Sequence, residues 1–424
     1  MTRQPESHAD WAAQIMRRCD LLGALSSLPD RVCRTYLTAE HAQCNRQVGA
    51  WLEAAGLACR QDAVGNLWGR LPAARQAGPA EATPSLIVGS HLDTVPNAGK
   101  YDGILGVLLG LAVAAKLRRS AVKLPFHLDV VGFGDEEGVR FGATLLGSRA
   151  AAGTWEPRWL QLKDRDGISL EEALIAFGGD PSAIAACSRA GKPLLGYLEV
   201  HIEQGPVLDR TAQPLGVVTH IAGAKRFRLE VLGQAGHAGT VPMAMRRDAL
   251  AAAAEIVLLV ERVARRRQVV ATVGDLTCRP GAANVIPGRC ALSIDLRAGD
   301  DAQRDQAVAE LQAEADRMLG ARHLQGNWVE THAAGAVACS DRMQALLGQA
   351  LEAMALPAPK LMSGAGHDAM AMAAVTDVGM LFVRCADGIS HHPDERVSVE
   401  DVALAMQALE RTVLALGRQA RQVR

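Results

Sequence analysis

Leu86-Ile87-Val88 is an unbroken apolar run that stops at His91-Leu92-Asp93, and after a turn-rich loop Asp102-Gly103 opens a second apolar stretch, Ile104 to Ala115. A short apolar run bounded by turn residues, followed by a long one, reads as buried strand, polar loop, buried helix. Open α/β sheets take ligands in the crevice beyond the carboxyl ends of their strands. His91, Asp93 and Asp102 stand at such an end, and imidazole and carboxylate suit a hard or borderline divalent cation. By itself a His-x-Asp equally describes a polar loop satisfying its own hydrogen bonds. The question is whether more ligands arrive at similar strand ends.

They do. Phe126 to Phe133 alternates as a strand and runs into Gly134-Asp135-Glu136-Glu137-Gly138; Tyr197 to Gly205 is a strand that carries His201; Met380 to Val383 leads to Ser390-His391-His392. If these strands lie in one parallel sheet, His91, Asp102, the glutamate pair, His201 and His391 or His392 converge at one edge. Three imidazoles and two carboxylates hold two divalent ions about 3.5 to 4 Å apart, bridged by one carboxylate. Adjacent glutamates suit a division of labour, one binding metal and one exchanging protons.

At 424 residues the chain exceeds one hydrophobic core, so two domains are expected. Residues 1–214 and 330–424 read as an α/β unit with a mixed, largely parallel sheet, and 215–329 as an inserted α+β unit. Within the α/β unit, helical periodicity covers most of 7–56, a short strand with a tight turn is expected at Val64–Gly69, and Ala73–Thr83 is a Pro/Ala/Gly-rich loop. Helical segments are expected around Gly147–Ala152 and Ser169–Phe177. In the inserted unit, Gly216–Ile221 and Arg226–Leu232 read as an antiparallel pair. A helix over Met243–Arg267, strands Val269–Thr277 and Arg289–Arg297, and a helix over Ala302–Leu319 follow.

Formal net charge is −1 and aromatics make up 4%, which leaves no global field for nucleic acid or anionic lipid and few platforms for stacked bases. Arg265-Arg266-Arg267 closes a helical pattern, where cations favour the macrodipole. The N-terminus MTRQPESHADWAAQIMRRCD lacks the apolar core of a signal peptide, so a cytoplasmic location is expected. Ile104–Ala115 falls short of the about 20 residues a bilayer span needs. Nine cysteines without a C-x-x-C pair suggest reduced thiols.

The segments GSHLDT, KYDGILG, GDEEGVRF, YLEVHIEQGP, GQAGHAGTVPM, GAANVIPG, SGAGHDAM and GISHHPDE, in this order from about residue 60 onward, resemble the di-zinc aminoacylase/carboxypeptidase-like metallohydrolases. Within them the chain is similar to the amidase branch of allantoate amidohydrolases, N-carbamoyl-L-amino-acid hydrolases and β-ureidopropionases. A histidine at position 201, where peptidase relatives have an acidic residue, fits that branch rather than an aminopeptidase or acylase. A non-catalytic binding protein on the same scaffold would be free to lose Glu136 or a ligand, and every expected position is filled.

The resemblance implies that His91, Asp102 and His201 hold one metal ion and Asp102, Glu137 and His391 the other, with Zn expected and Mn, Co or Ni possible. Glu136 would be the general base and Asp93 would orient His91. His237, in the inserted lid and dimerisation domain, would stabilise the oxyanion and reach the partner subunit's site in a homodimer. Gln204, Asn284 and Arg297 would hold the ureido and carboxylate groups of a small substrate, with backbone N–H groups of Gly364 to Gly366 assisting. Arg297 also admits an ordinary salt bridge. His367 and Asp368 would support the site. The implied reaction is allantoate plus water to ureidoglycine, ammonia and carbon dioxide, with N-carbamoyl-L-amino acids or β-ureidopropionate as alternatives.

Overall fold

A computed structural model describes residues 6–74 and 83–422. Most of the loop expected at Ala73–Thr83 lies outside the described residues. The chain divides into two compact units, one reaching to Thr219 and resuming at Cys339–Leu361 and His367, the other formed by His220–Ala338 with Met362–Gly366.

The strands, in chain order, begin with β1 (Ala58–Gln61), β2 (Leu67–Leu71), β3 (Ser85–His91), β4 (His127–Phe133), β5 (Leu194–Ile202) and β6 (Leu215–Ile221). Next come β7 (Gly223–Leu232), β8 (Gly236–His237), β9 (Val270–Thr272), β10 (Leu276–Arg279), β11 (Val285–Ile286), β12 (Arg289–Ala298), β13 (Gln325–Ala334) and β14 (Val337–Ala338). After these come β15 (Lys360–Ser363) and β16 (Val378–Val383). The large sheet has the order β1-β2-β4-β3-β5-β16-β6-β14, with β15 also pairing β6. Its four middle strands, β4, β3, β5 and β16, are mutually parallel, and antiparallel strands flank them. Every residue of β3, β4 and β16 is buried, as parallel strands covered on both faces require.

Helix Ile104–Arg119 makes the crossover from β3 to β4, and Ile104 to Ala115 are buried without exception. Its last turn carries Lys116, Arg118 and Arg119, which complement the helix dipole. Helices His8–Gly23 and Val399–Gln422 pack against each other and against this helix. The helical run expected over 7–56 is broken between Gly23 and Ala39. There the Ser26 hydroxyl takes the amide hydrogens of Leu28 and Cys33 and so stabilises a turn in place of helix.

The second unit holds an antiparallel sheet, β10-β12-β7-β13 with β9 also on β12, against which helices Ala249–Arg267 and Asp301–Ala321 pack. Phe227, Leu229, Val231, Ile256, Leu292, Ile294 and Leu311 are part of its core. Three expectations are corrected here. β6 and β7 are not an antiparallel pair: β6 lies beside β16 in the large sheet, while β7 pairs with β12 and β13. The helix begins at Ala249, not Met243, because Asp248 caps it by accepting from the amides of Leu250 and Ala251. The strand expected over Val269–Thr277 is split around Gly274 into β9 and β10, both held by β12. Arg266 and Arg267, at the helix end, pair with Glu310 and Glu314. All nine cysteines are free thiols. Among the described residues no helix is long and apolar enough to cross a membrane.

Candidate metal centre

Parallel strands deliver the site. Residues just past the carboxyl ends of β4, β3, β5 and β16 meet at one edge of the sheet, so ligands far apart in sequence become neighbours. His91 ends β3, His201 lies near the end of β5, Glu136 and Glu137 follow β4, and His391 follows β16. Asp102 reaches the same edge from the loop before helix Ile104–Arg119 and is buried among them.

Asp102 stands in the middle. Its Oδ1 lies 3.0 Å from His201 Nε2 and 3.4 Å from His91 Nε2, and its Oδ2 lies 3.2 Å from His391 Nε2. His391 Nε2 is in turn 3.5 Å from Glu137 Oε1. Three sets each place one ligand atom per residue within 4.8 Å of the others: His91, Asp102 and His201; Asp102, Glu137 and His391; His91, Glu136 and Glu137. His392 turns away, its Nδ1 accepting from the Asp394 amide at 3.2 Å. Of the two adjacent imidazoles, His391 is the one that faces Asp102.

The backbone sets the histidines' tautomers. His91 Nδ1 lies 3.0 Å from the Asp93 carbonyl oxygen and His201 Nδ1 2.9 Å from that of Ile202. An Nδ1–H donated to a carbonyl leaves the Nε2 lone pair facing inward. In the neutral rings, then, two Nε2 lone pairs confront the lone pairs of Asp102, acceptor against acceptor. A cation between them resolves the conflict, and three imidazoles with two carboxylates are a donor set that zinc and its neighbours accept.

Without a metal, protons play that part. Burial by itself would lower His91 and His201, but at His91 the Asp102 hydrogen bond and the charges of Glu136 and Asp93, and at His201 the hydrogen bond and charge of Asp102, outweigh it and raise both. The Asp102 contact likewise raises His391. Burial also fails to raise Asp102, because the hydrogen bonds of His201, His391 and His91 hold it well below the usual carboxylate range. Burial pushes Glu136 well above that range, with Glu137, Asp368 and Asp93 adding to the rise, and Glu137 is pushed up to about 7 by burial and by Asp102.

Asp93 divides its work. The carbonyl holds the His91 ring, whereas the carboxylate accepts from the amides of Glu136 and Glu137 at 3.2 and 3.3 Å and so pins the turn that carries both glutamates. Gly103 permits the approach of Asp102: it has φ +68°, and a Cβ there would stand 2.4 Å from His91 Nε2. His367 is buried with its ring centroid 4.5 Å from that of His201, and burial together with His201 drives its pKa well down, so it packs as a neutral ring. Asp368 is buried beside it.

Of the residues expected to bind substrate, Gln204 is in this site, its Nε2 donating to Asp102 Oδ2 at 2.9 Å. The others lie in the second unit. β8 pairs with β11, which sets His237 opposite Val285 and brings the Ala238 amide onto the Asn284 carbonyl. Arg297 is held by Asp295 through Nε and Nη2, and its Nη1 donates to the Gly364 carbonyl at 2.7 Å. Gly364 is thus engaged through its oxygen, and between it and Gly366 the Ala365 amide donates to the Ser363 hydroxyl.

Two groups escaped the sequence reading. Arg34, fully buried, donates to the carbonyls of Leu22, Leu25 and Leu92 and ties down the segment after β3. Glu395, also buried, bonds the amides of Tyr101 and Asp102. Its signal was its place in GISHHPDE; nothing in the spacing foretold the partner nearly three hundred residues away.

A parallel sheet whose strand ends gather imidazoles and carboxylates around one aspartate, with a further buried glutamate beside them, defines a candidate metallohydrolase. The sequence matches peptidase family M20/M25/M40 over residues 87–415, and the chain belongs to that family. It is 36% identical to an N-carbamoyl-L-amino-acid amidohydrolase of Pseudomonas sp. (strain NS671), covering 93% of this chain and 95% of that one. It is 38% identical to the allantoate deiminase of Arabidopsis thaliana, over 93% and 81% of the two chains. A crystal structure of a hydantoinase/carbamoylase family amidase from Burkholderia multivorans superposes with a TM-score of 0.89 at 32% identity, covering 96% of this chain and 98% of that one. These relatives place the chain in the amidase branch that its motifs resemble.

Because proton affinity is raised at Glu137 and at the three histidines, a cation must compete with protons there, and uptake of metal should release them. Proton competition weakens as pH rises through about 7, so affinity for Zn²⁺ should be lower at pH 6 than at pH 8. Calorimetric titration at pH 6.5 in buffers of different ionisation enthalpy should report net proton release. Heats independent of buffer would contradict the proton-held state.

Proposed function

We propose that the protein hydrolyses a carbon–nitrogen bond of a ureido or carbamoyl acid with two divalent cations, and that allantoate is its preferred substrate. Family and near-full-length relatives make it an amidohydrolase. The observation that carries the two-cation reading is Asp102, whose two oxygens face different sets of ligands. In this reading His91, Asp102 and His201 hold one cation, and Asp102, Glu137 and His391 the other, with zinc the first choice and Mn, Co or Ni chemically acceptable. When bound, such cations supply Lewis acidity to a carbonyl and make water a better nucleophile at neutral pH.

The protein's own groups do the rest. Glu136 takes a proton from the attacking water and passes it to the leaving nitrogen; burial and neighbouring carboxylates raise its proton affinity, which suits a group that must both accept and deliver. Gln204 Oε1 is buried with no hydrogen-bond partner among the described residues, so it is free to accept from a ureido N–H. His237 stabilises the developing oxyanion, and Asn284 and Arg297 hold the substrate carboxylate. Asp295 and the Gly364 carbonyl fix the Arg297 guanidinium in one plane, which prepares it for a planar anion.

The choice of allantoate rests on the likeness of GKYDGILGV and RFGATLLGSR to allantoate-processing members and on polar groups for a second ureido arm. Burying such an arm unpaired would cost about 1 to 3 kcal/mol per group. Relatives named for N-carbamoyl-L-amino acids keep that class as the second reading. We further place the protein in the cytoplasm, as a homodimer joined through the second unit. There β13 is an edge of the sheet and exposes Val329, and unpaired edges invite pairing. His237 would then complete the partner's site.

Glu136→Gln should keep metal content near wild type and lower kcat by about a hundredfold or more, since it removes proton transfer and keeps shape. Glu137→Gln should weaken metal binding, and exchanged phenotypes would reverse the two roles. Comparing kcat/KM for allantoate, N-carbamoyl-L-methionine and β-ureidopropionate tests the substrate; a tenfold preference for either of the last two overturns the choice. Light scattering should give twice the chain mass, and Val329→Lys should shift it toward the monomer; a monomeric wild type would end the shared-site reading.

A further inference from the structure

We propose that Glu395 is a positioning residue, which fixes Asp102 and the loop bearing His391 in the arrangement that two cations require. The inference rests on the two-cation reading above and concerns a residue that bears no ligand atom in any of the three clusters.

Glu395 is buried, 1% exposed, and each of its oxygens has work to do. Oε1 accepts from the amides of Tyr101 at 2.9 Å and Asp102 at 3.2 Å, so the backbone of the central aspartate hangs on this carboxylate. Oε2 lies 2.9 Å from the Ser390 hydroxyl, which is also 3.1 Å from Asp102 Oδ2. One carboxylate thereby joins the segment before helix Ile104–Arg119 to the segment after β16. Gly99 makes room for it, since a Cβ there would stand 2.2 Å from the Glu395 carboxyl group.

The two ligand sets depend on this link unequally. His91 and His201 are strand residues, each held in register by one neighbouring strand, His91 opposite Phe133 of β4 and His201 opposite Phe382 of β16, and they share only Asp102 with the linked segments. In the other set Asp102 and His391 both sit on linked segments. His391 is in a loop, with an exposed side chain and φ +54°, a backbone conformation uncommon for a residue with a Cβ. Removing the link should therefore weaken the second cation more than the first.

The test measures loading with Zn²⁺, and separately with Mn²⁺, by elemental analysis and calorimetry on the full-length protein stripped and reloaded. Wild type should take two ions. Glu395→Ala should take one with near-native affinity and the second at least about tenfold more weakly, the range typical when a group supporting a metal ligand is lost. Glu395→Gln keeps an acceptor for both amides and a donor for Ser390, so it should restore the second ion. A circular dichroism spectrum like that of wild type separates positioning from loss of fold. If Glu395→Ala does not fold, Ser390→Ala decides, because it cuts the tie to Asp102 Oδ2 and leaves the amide bonds intact; it too should weaken only the second ion. Native affinity for both ions in the folded Ala variant, or in Ser390→Ala where that variant decides, overturns the proposal. A wild type that takes fewer than two ions defeats the two-cation reading itself.

Discussion

Within about 3.4 Å of one buried carboxylate, three imidazole nitrogens compete for the same negative charge, and two of them are turned there by backbone carbonyls that hold their other nitrogens. Lone pair against lone pair is repulsive, so the arrangement is stable only with a positive charge inside it, whether proton or metal. Much of the surrounding structure serves that contact. Gly103 lets the aspartate come close, Arg34 holds the segment beyond β3, and the Asp93 carboxylate bonds the amides that present the glutamates.

The site also includes backbone that departs from relaxed conformations, as other turns of the chain do. Asp135, Gln204 and His391 all have positive φ, at 60°, 56° and 54°. For residues with a Cβ this conformation costs of the order of 1 to 3 kcal/mol each. Asp135 and Gln204 lie just past the ends of β4 and β5, where a chain leaving a parallel strand must turn sharply to aim a side chain back across the edge, and His391 lies in the longer loop that follows β16. Burial adds a second cost, since Asp93, Asp102, Asp135, Glu136, Glu199 and Asp368 are all withdrawn from water. The extensive apolar core beneath, with the buried stretch Ile104–Ala115 of helix Ile104–Arg119 at its centre, offsets both.

The parallel core was legible because its strands are continuous apolar runs ending in polar residues, and because a ligand at the end of a strand has its position set by the sheet. That is why His91, Glu136, Glu137 and His201 fall together as their sequence positions suggest. Pairing partners were less legible. Alternation assigns a strand to a sheet face, but it does not name the neighbour, and β6 and β7 follow one another without pairing. Helix starts shifted where one capping side chain, Asp248, outbid the apolar pattern before it. The role of Glu395 was hidden, since beyond the nearby Ser390 hydroxyl its partners are the distant backbone amides of Tyr101 and Asp102, and backbone amides have no signature in a sequence.

The chain passes into the second unit along β6 and leaves it along β14, and these strands are antiparallel partners, Ile221 opposite Val337 and His220 opposite Ala338. Entry and exit therefore run side by side as a two-stranded ribbon. Closing a loop of such length would impose an entropic cost on whatever must bring its ends together. Here the intervening segment has its own core, so its packing holds the ends together. To the rest of the chain the insertion then resembles a hairpin turn, and a chain joined by a short turn from Ile221 to Val337 would keep the register of the remaining strands.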